Sequence, residues 1–429
     1  MKQLVSVVLV VMCVLSASVS FSLPRFALKR GEISCTGCHQ DPSGGGLRTK
    51  GGESFEQNGL PMWKMGDAFN GQLGEGIKIG VDFRSQYVCF SQKQPIFSPG
   101  DSITPAQKLR DTSITVDGFH AMSYAVELGF SATKTLSGYL RYDLNGQTPT
   151  QAFALLHFVH ESGELWQNGS VLGDAYIKFG AFMPTFGVRF DDHTVYSKSG
   201  TAGLSGFDAA GLFWAPGYRD IGAELGMSFF DHIGVQLGIY NGNEKFIGSS
   251  FAGQNPNKAI CARINAASEL IEDALSGEIG ASYYSHAGDK AAGTEGKDLS
   301  LMAVHIGLRG GPVSLLAEYD DGKYIPLYSS FNSLPKKSSA LTLEGSWHIS
   351  QGIDAIVRFE TYKDKNEQDE VVTEVKDRIT IGAQWFPMRF LEVRPEFRIA
   401  TVSVPSSAQD GLREDHTQTM GLVQLHFFF

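Results

Sequence analysis

The sequence predicts an all-β fold closed into a transmembrane barrel, and three observations predict it. The first is composition. Charged residues make up 19% of the 429 residues, aromatic residues 11%, and glycine occurs 49 times, against roughly 25% charge and 7% glycine in average soluble chains. The second is hydropathy. Beyond the first residues no apolar run approaches the ~18 residues of a helical span, yet mean hydropathy is only −0.10, as expected of strands whose two faces cancel. The third is the chain end, 421–429, where Val423, Leu425, Phe427 and Phe429 share one face while Gln424 and His426 share the other. A chain this long would ordinarily divide into two or three soluble domains. The absence of a Gly-X-Y period excludes collagen, and the apolar content excludes disorder.

Residues 1–22 read as a secretory signal: Lys2, an apolar stretch from Leu4 to Leu15, then small residues at Ala17, Ser18 and Ser20. The stretch is too short to span a bilayer, and Met12 before Cys13 is not the small residue a lipobox needs. The net charge is −10, and losing Lys2 with the signal makes the exported chain more acidic still. Such a chain is a poor nucleic-acid binder and a better partner for cations.

Residues 23–75 form a leader built around Cys35-Thr36-Gly37-Cys38-His39. This C-x-x-C-H spacing is that of covalent c-type haem attachment. Cys35 and Cys38 would each add to one vinyl group of a single haem c, and His39 would then lie under the ring as the proximal iron ligand. A second C-x-x-C to complete a zinc site is missing, as is a βαβ pattern for a thioredoxin-like dithiol. The leader is shorter than a self-sufficient cytochrome, so its cofactor must borrow burial from the concave interior of the barrel. Met62 and Met65 are candidate sixth ligands; the same residues could simply pack on the ring, and a lumen histidine such as His120 or His193, or an open site, are the alternatives.

Residues 76–429 carry about 16 antiparallel strands. Alternating segments lie at 77–90, 119–133, 136–144, 173–181, 220–230, 232–240, 259–267, 277–285, 300–309, 313–319, 339–348, 353–362, 377–386, 391–401 and 421–429. One further strand is expected within 182–215, because single-chain bacterial barrels prefer even numbers. Tight links such as Arg309-Gly310-Gly311-Pro312 and Phe230-Asp231-His232 alternate with long polar ones, among them 91–118, 145–170, 241–258 and 321–338. Cys89 and Cys261 stand alone and read as small buried hydrophobes. Arg84, Arg141, Arg189, Arg263 and Arg358 are either an anion ladder or lumen charges paired with nearby acids. The acidic pairs Asp191-Asp192 and Asp320-Asp321 are candidate oxygen ligands for Fe²⁺ or other cations. No nucleophile triad, zincin helix, P-loop or dinucleotide fingerprint occurs.

Two resemblances add to this reading. Pro24-Arg25-Phe26-Ala27, Gly31, Cys35 to His39, Pro42, and Gly52-Glu53-Ser54-Phe55 to Gly59 resemble the N-terminus of the fused monohaem cytochrome-porins. Departures are the longer Gly-to-Cys gap at Ile33-Ser34, Leu28-Lys29-Arg30, and the Gly44-Gly45-Gly46-Leu47 insertion. The resemblance implies one haem on a leader entering an outer-membrane barrel surrounded by lipid. It also implies single electrons passing from an extracellular donor such as Fe(II) to a soluble periplasmic cytochrome. If that counts as an enzyme, it is at most an Fe(II):cytochrome c oxidoreductase. Ala175 to Gly180, Pro184-Thr185-Phe186-Gly187, Arg219 to Glu224 and Tyr240 to Asn243 resemble the phosphate-selective porins, whose barrels have 16 strands. That family's anion ladder sits badly with an acidic chain. A solute or anion porin with a haem-bearing plug is therefore the alternative function, and haem chemistry on a small molecule is a third.

Overall fold

Alternation of apolar and polar residues over eight or more positions leaves a chain few options but a strand with one face in lipid and one in the lumen. A computed structural model of the chain describes residues 38–64, 69–95, 111–144, 148–159, 172–188, 194–198, 219–230, 232–242, 257–271, 274–287, 297–324, 337–405 and 413–429. The signal segment, Cys35, Met65, Arg189, Asp191-Asp192 and His193 lie outside the described residues.

One helix, α1 (Lys50–Asn58), and a three-residue strand, β1 (Gln72–Gly74), precede the barrel. The barrel strands are β2 (Ile77–Pro95), β3 (Asp111–Ser131), β4 (Leu136–Asp143), β5 (Thr148–Val159), β6 (Leu172–Phe182), β7 (Asp220–Phe229), β8 (Ile233–Tyr240) and β9 (Ala259–Ile271). They continue with β10 (Leu275–His286), β11 (Leu299–Gly310), β12 (Val313–Lys323), β13 (Lys337–Ser350), β14 (Ile353–Lys365), β15 (Val371–Met388), β16 (Leu391–Pro405) and β17 (Arg413–Phe428). Each pairs antiparallel with its sequence neighbours, and β17 pairs with β2, for example His426 opposite Arg84 and Gly421 opposite Cys89. β2 to β17 are thus 16 strands closed on themselves, which leaves no free edge to satisfy in hydrocarbon.

The terminal strand sets the pattern for the others. Val423, Leu425 and Phe427 point outward and are 44%, 51% and 43% exposed, while Gln424 and His426 are buried inside. Ile279, Met302, Val304, Leu315, Val357 and Ile381 are likewise outward and exposed, giving the lipid-facing belt of a membrane barrel. No helix among the described residues is long and apolar enough to cross a membrane.

Two expectations are corrected here. The sixteenth strand is β5, within the stretch 145–170 read as a loop. Its inward side chains Phe153 and Leu155 are as apolar as outward Leu156 and Phe158, so the alternation that marks a half-wet strand is absent. Conversely, the described part of 182–215 forms no strand beyond the end of β6; residues 183–188 and 194–198 instead lie against the lumen wall. Of the lone cysteines, Cys261 is buried but Cys89 is exposed, because Val88 and Phe90 take the inward positions on β2.

Short turns gather at one end of the barrel, with the chain terminus beside them: residues 311–312, 351–352 and 389–390 each link two strands there. In barrels of this type that end faces the periplasm. Inside the barrel, the wall formed by β4 to β8 is lined with aromatic rings. Tyr139, Phe153, Phe182 and Tyr240 contact in series with centroids 5.3, 5.9 and 5.6 Å apart.

Candidate functional site

The leader reaches the lumen through a tight hairpin. Gln40 N–H donates to Leu47 O at 2.9 Å and Thr49 N–H to Cys38 O at 3.0 Å, and His39 bridges Arg48. The turn is shaped by Asp41, whose carboxylate accepts from the Ser43 backbone and hydroxyl at 2.9 and 2.6 Å. Gly46 has φ +66°, and a Cβ there would overlap the Tyr139 hydroxyl, so both backbone and space demand glycine. Thr49 then caps α1, accepting from Gly52 N–H at 3.4 Å. The helix start packs directly over the Cys38 carbonyl, since a Cβ on Gly52 would strike it.

Beyond α1 the chain is fastened to the wall by backbone. Met62 N–H donates to Phe386 O at 2.8 Å and Trp63 N–H to Pro387 O at 3.0 Å. Gln351 supplies its amide to Pro61 O at 2.9 Å. The helix adds charge pairs: Glu56 meets Arg48 at 3.0 Å and Arg389 at 3.7 Å, and Glu53 pairs with Lys78.

The deepest contact of the leader is an ion knot. Lys178 on β6 is fully buried and lies 3.3 Å from both Asp41 of the leader and Glu224 of β7. Tyr176 and Tyr240 donate their hydroxyls to Glu224 at 3.1 and 3.0 Å, and the Lys178 ammonium rests 4.2 Å from the Phe182 ring centroid. Such a group is stable only when every charge is met. Glu224 also accepts the Thr185 N–H at 3.2 Å, so one carboxylate ties the knot to the inward segment after β6. The described parts of that segment also meet the wall elsewhere: Val188 N–H donates to Glu318 at 3.1 Å and Tyr196 N–H to Glu360 at 2.9 Å.

Opposite the aromatic rings the lumen is charged in pairs. Arg358 meets Glu344 at 2.8 Å, Arg378 meets Glu360 at 2.8 Å, and Arg394 meets Glu396 at 2.7 Å. Nearer the rings, Arg84 on β2 and Arg141 on β4 share Asp82 at 3.0 and 2.8 Å, and on β9 Arg263 lies 3.8 Å from Glu278. These arginines are balanced by acids, which is the second of the two readings their sequence positions allow. Asp320 and Asp321 do not converge. Asp320 is fully buried, whereas Asp321 faces the other way toward Lys337 at 3.8 Å, because neighbours on a strand point to opposite faces.

The predicted haem residues are partly brought together. Cys38 and His39 are adjacent and half-buried at the root of the hairpin, with their backbone fixed by the Thr49 and Arg48 contacts. The thiol and the imidazole on this half-buried turn are the donor types that a covalent haem would use, so the described half of the motif fits. Met62 is held on the wall against Gly352 and Phe386. His120 is too distant to serve as the sixth ligand. It sits nine residues along β3 from Gly129, which packs against Gln40, or roughly 30 Å at strand rise. Sequence reasoning missed Asp41, Lys178 and Glu224. One signal was present: Lys178 is a single cation in the apolar run Ala175-Tyr176-Ile177-Lys178-Phe179.

Sixteen antiparallel strands closed without an edge, apolar outside and polar or aromatic within, define a porin-like barrel of the bacterial outer membrane. No protein-family model matches the chain, and no curated protein sequence does. Among solved structures the chain is similar to OmpT of Vibrio cholerae, at 9% identity and TM-score 0.47 over 83% of this chain and 99% of that one. It is also similar to OprB of Pseudomonas putida, at 13% and 0.49 over 82% and 94%. A third is OmpF of Salmonella typhi in complex with daunomycin, at 13% and 0.46 over 82% and 97%. Likeness at this level concerns architecture and leaves the lumen chemistry of this chain to its own residues.

Proposed function

We propose that this barrel carries electrons across the outer membrane through one covalent haem on its leader, exchanging them with a soluble periplasmic carrier and an extracellular donor such as Fe(II). The observation that carries the reading is the buried Asp41–Lys178–Glu224 knot, which anchors inside the lumen the hairpin that begins at Cys38 and His39. When bound, the haem supplies a reversible one-electron couple whose potential follows its axial ligands and burial. Cys35 and Cys38 would tether it, and His39 would supply an iron ligand. The hairpin from Cys38 to Thr49 holds those donors in place, while Leu47 and the aromatic wall keep water from that side of the lumen. Periplasmic partners approach the short-turn end, where α1 and the chain terminus lie.

Solute passage is the second reading, favoured by the porin-like barrel and the balanced arginines lining it. Two measurements on the purified protein separate the readings. The conduit requires a covalent c-type haem spectrum that is lost in Cys38→Ala, reversible reduction by a one-electron donor, and low conductance in planar bilayers. A haem-free protein that conducts ions freely would sink it in favour of the porin.

A further inference from the structure

The wall formed by β11, β12 and β13 offers the lumen a group of oxygens that the protein itself leaves unmatched. Asp320 is fully buried, and neither of its carboxylate oxygens has a hydrogen-bond partner. Glu318, two residues earlier on the same face, uses Oε1 to accept Val188 N–H at 3.1 Å and the Lys198 ammonium at 3.2 Å. Its other oxygen, Oε2, is buried without a partner. Thr342 stands directly opposite Glu318 in the β12–β13 ladder. It is fully buried, and its Oγ1 also lacks a partner.

Residues two apart on a strand, and residues opposite each other in a ladder, share a face. The unmatched oxygens of Asp320, Glu318 and Thr342 therefore crowd one patch of lumen wall. Asp320 and Glu318 are close enough to interact with each other, and Lys198 is the cation that faces them. The inward segment closes over the patch: Gly187 has φ +56°, and a Cβ there would overlap Glu318 Oε1. Two carboxylates answered by one ammonium leave a negative charge away from water, which is strongly destabilising unless a cation meets it or a proton neutralises it.

The composition of the patch selects the cation. Its unmatched atoms are oxygens on Asp320, Glu318 and Thr342, with the buried Nδ1 of His305, opposite Glu318 on β11, as a neighbouring nitrogen. The protein thus supplies two carboxylates and a hydroxyl, leaving the rest of the shell to water, as suits hard divalent ions that keep several waters. We propose that Glu318, Asp320 and Thr342 form a binding site for a hard divalent cation in the barrel lumen, beneath the inward segment. The site is independent of the haem motif and would serve a conduit or a porin alike, by bracing the inward segment against the wall.

The test uses the full-length protein in detergent, stripped with chelator and titrated with Mn²⁺ by paramagnetic resonance. One bound Mn²⁺ per chain is expected. Asp320→Asn should weaken binding by at least the ~10-fold that even an outer-shell partner is worth. Thr342→Val should weaken it less, and Asp321→Asn, on the opposite face, not at all. Gel mobility of the folded barrel verifies folding for each variant. Wild-type protein that binds no Mn²⁺, as a shared proton between the two carboxyls would dictate, overturns the proposal; so does Asp320→Asn binding as tightly as wild type. If Asp320→Asn does not fold, Thr342→Val decides the matter, since it preserves every charge, and an unchanged affinity then rejects the site.

Discussion

The lumen has two walls of different chemistry. From β4 to β8 it is aromatic, with Lys178 and Glu224 set among rings; from β12 to β17 it is a lattice of arginines and acids. Both walls offer a carboxylate to a backbone N–H, as Glu224 does for Thr185 on the aromatic side, but they differ in what else they add. The aromatic wall receives apolar and close-packed parts of the leader, Leu47 and Gly46, and fixes them with the ion knot at Asp41. The charged wall presents carboxylates to bare backbone N–H groups, as Glu318 does for Val188 and Glu360 for Tyr196. An irregular segment has no strand neighbour to satisfy its amides, and buried amides must be satisfied somewhere. In this barrel acidic side chains take that role, which gives the lumen acids a use apart from selectivity.

The sharpest way to break the contrast is Lys178→Met. Removing the cation leaves Asp41 and Glu224 buried without their shared partner, which should cost about 3–5 kcal/mol. Because Glu224 also holds Thr185, both insertions should loosen together, read as a lower unfolding temperature and faster proteolysis between residues 38 and 64. On the charged wall, Glu360→Gln should cost less, about 1.5–3 kcal/mol for a weakened charged hydrogen-bond set. There Arg378 still donates to Thr194 O at 2.6 Å, and the new amide oxygen can still accept from Tyr196. Its effect should fall on the inward segment and spare the leader, which limited proteolysis separates. Gly46→Ala is the smallest of the three, about 1–2 kcal/mol from the left-handed backbone plus the overlap with the Tyr139 hydroxyl. Adding Tyr139→Phe should recover part of the overlap cost and none of the backbone cost; full recovery would mean that the turn relaxes.

The same division explains what was legible in the sequence. On the charged wall, β14, β16 and β17 place Asp, Arg, Glu, Gln or His between outward Ile, Leu, Val or Phe, and their period of two is visible directly. On the aromatic wall both faces of β5 are apolar, so the period vanishes and Pro149 reads as a loop. The strand number was nevertheless recoverable, because closure favours an even count, though its place was not. The leader motif was plain from spacing alone. Its anchorage was not, since Asp41, Lys178 and Glu224 are far apart in sequence and only the curvature of the barrel makes them neighbours.

The seam between β2 and β17 has a consequence for how the barrel comes apart. Phe429 exchanges backbone hydrogen bonds with Val81 at 3.3 Å, and Gly80 beside it lies under both Leu47 and the Phe429 carbonyl. Arg48 rests 4.6 Å from the Phe428 ring centroid. The closing strand and the leader thus share one set of contacts at the seam. Loosening the leader is therefore expected to weaken the seam, and opening the seam to expose the leader.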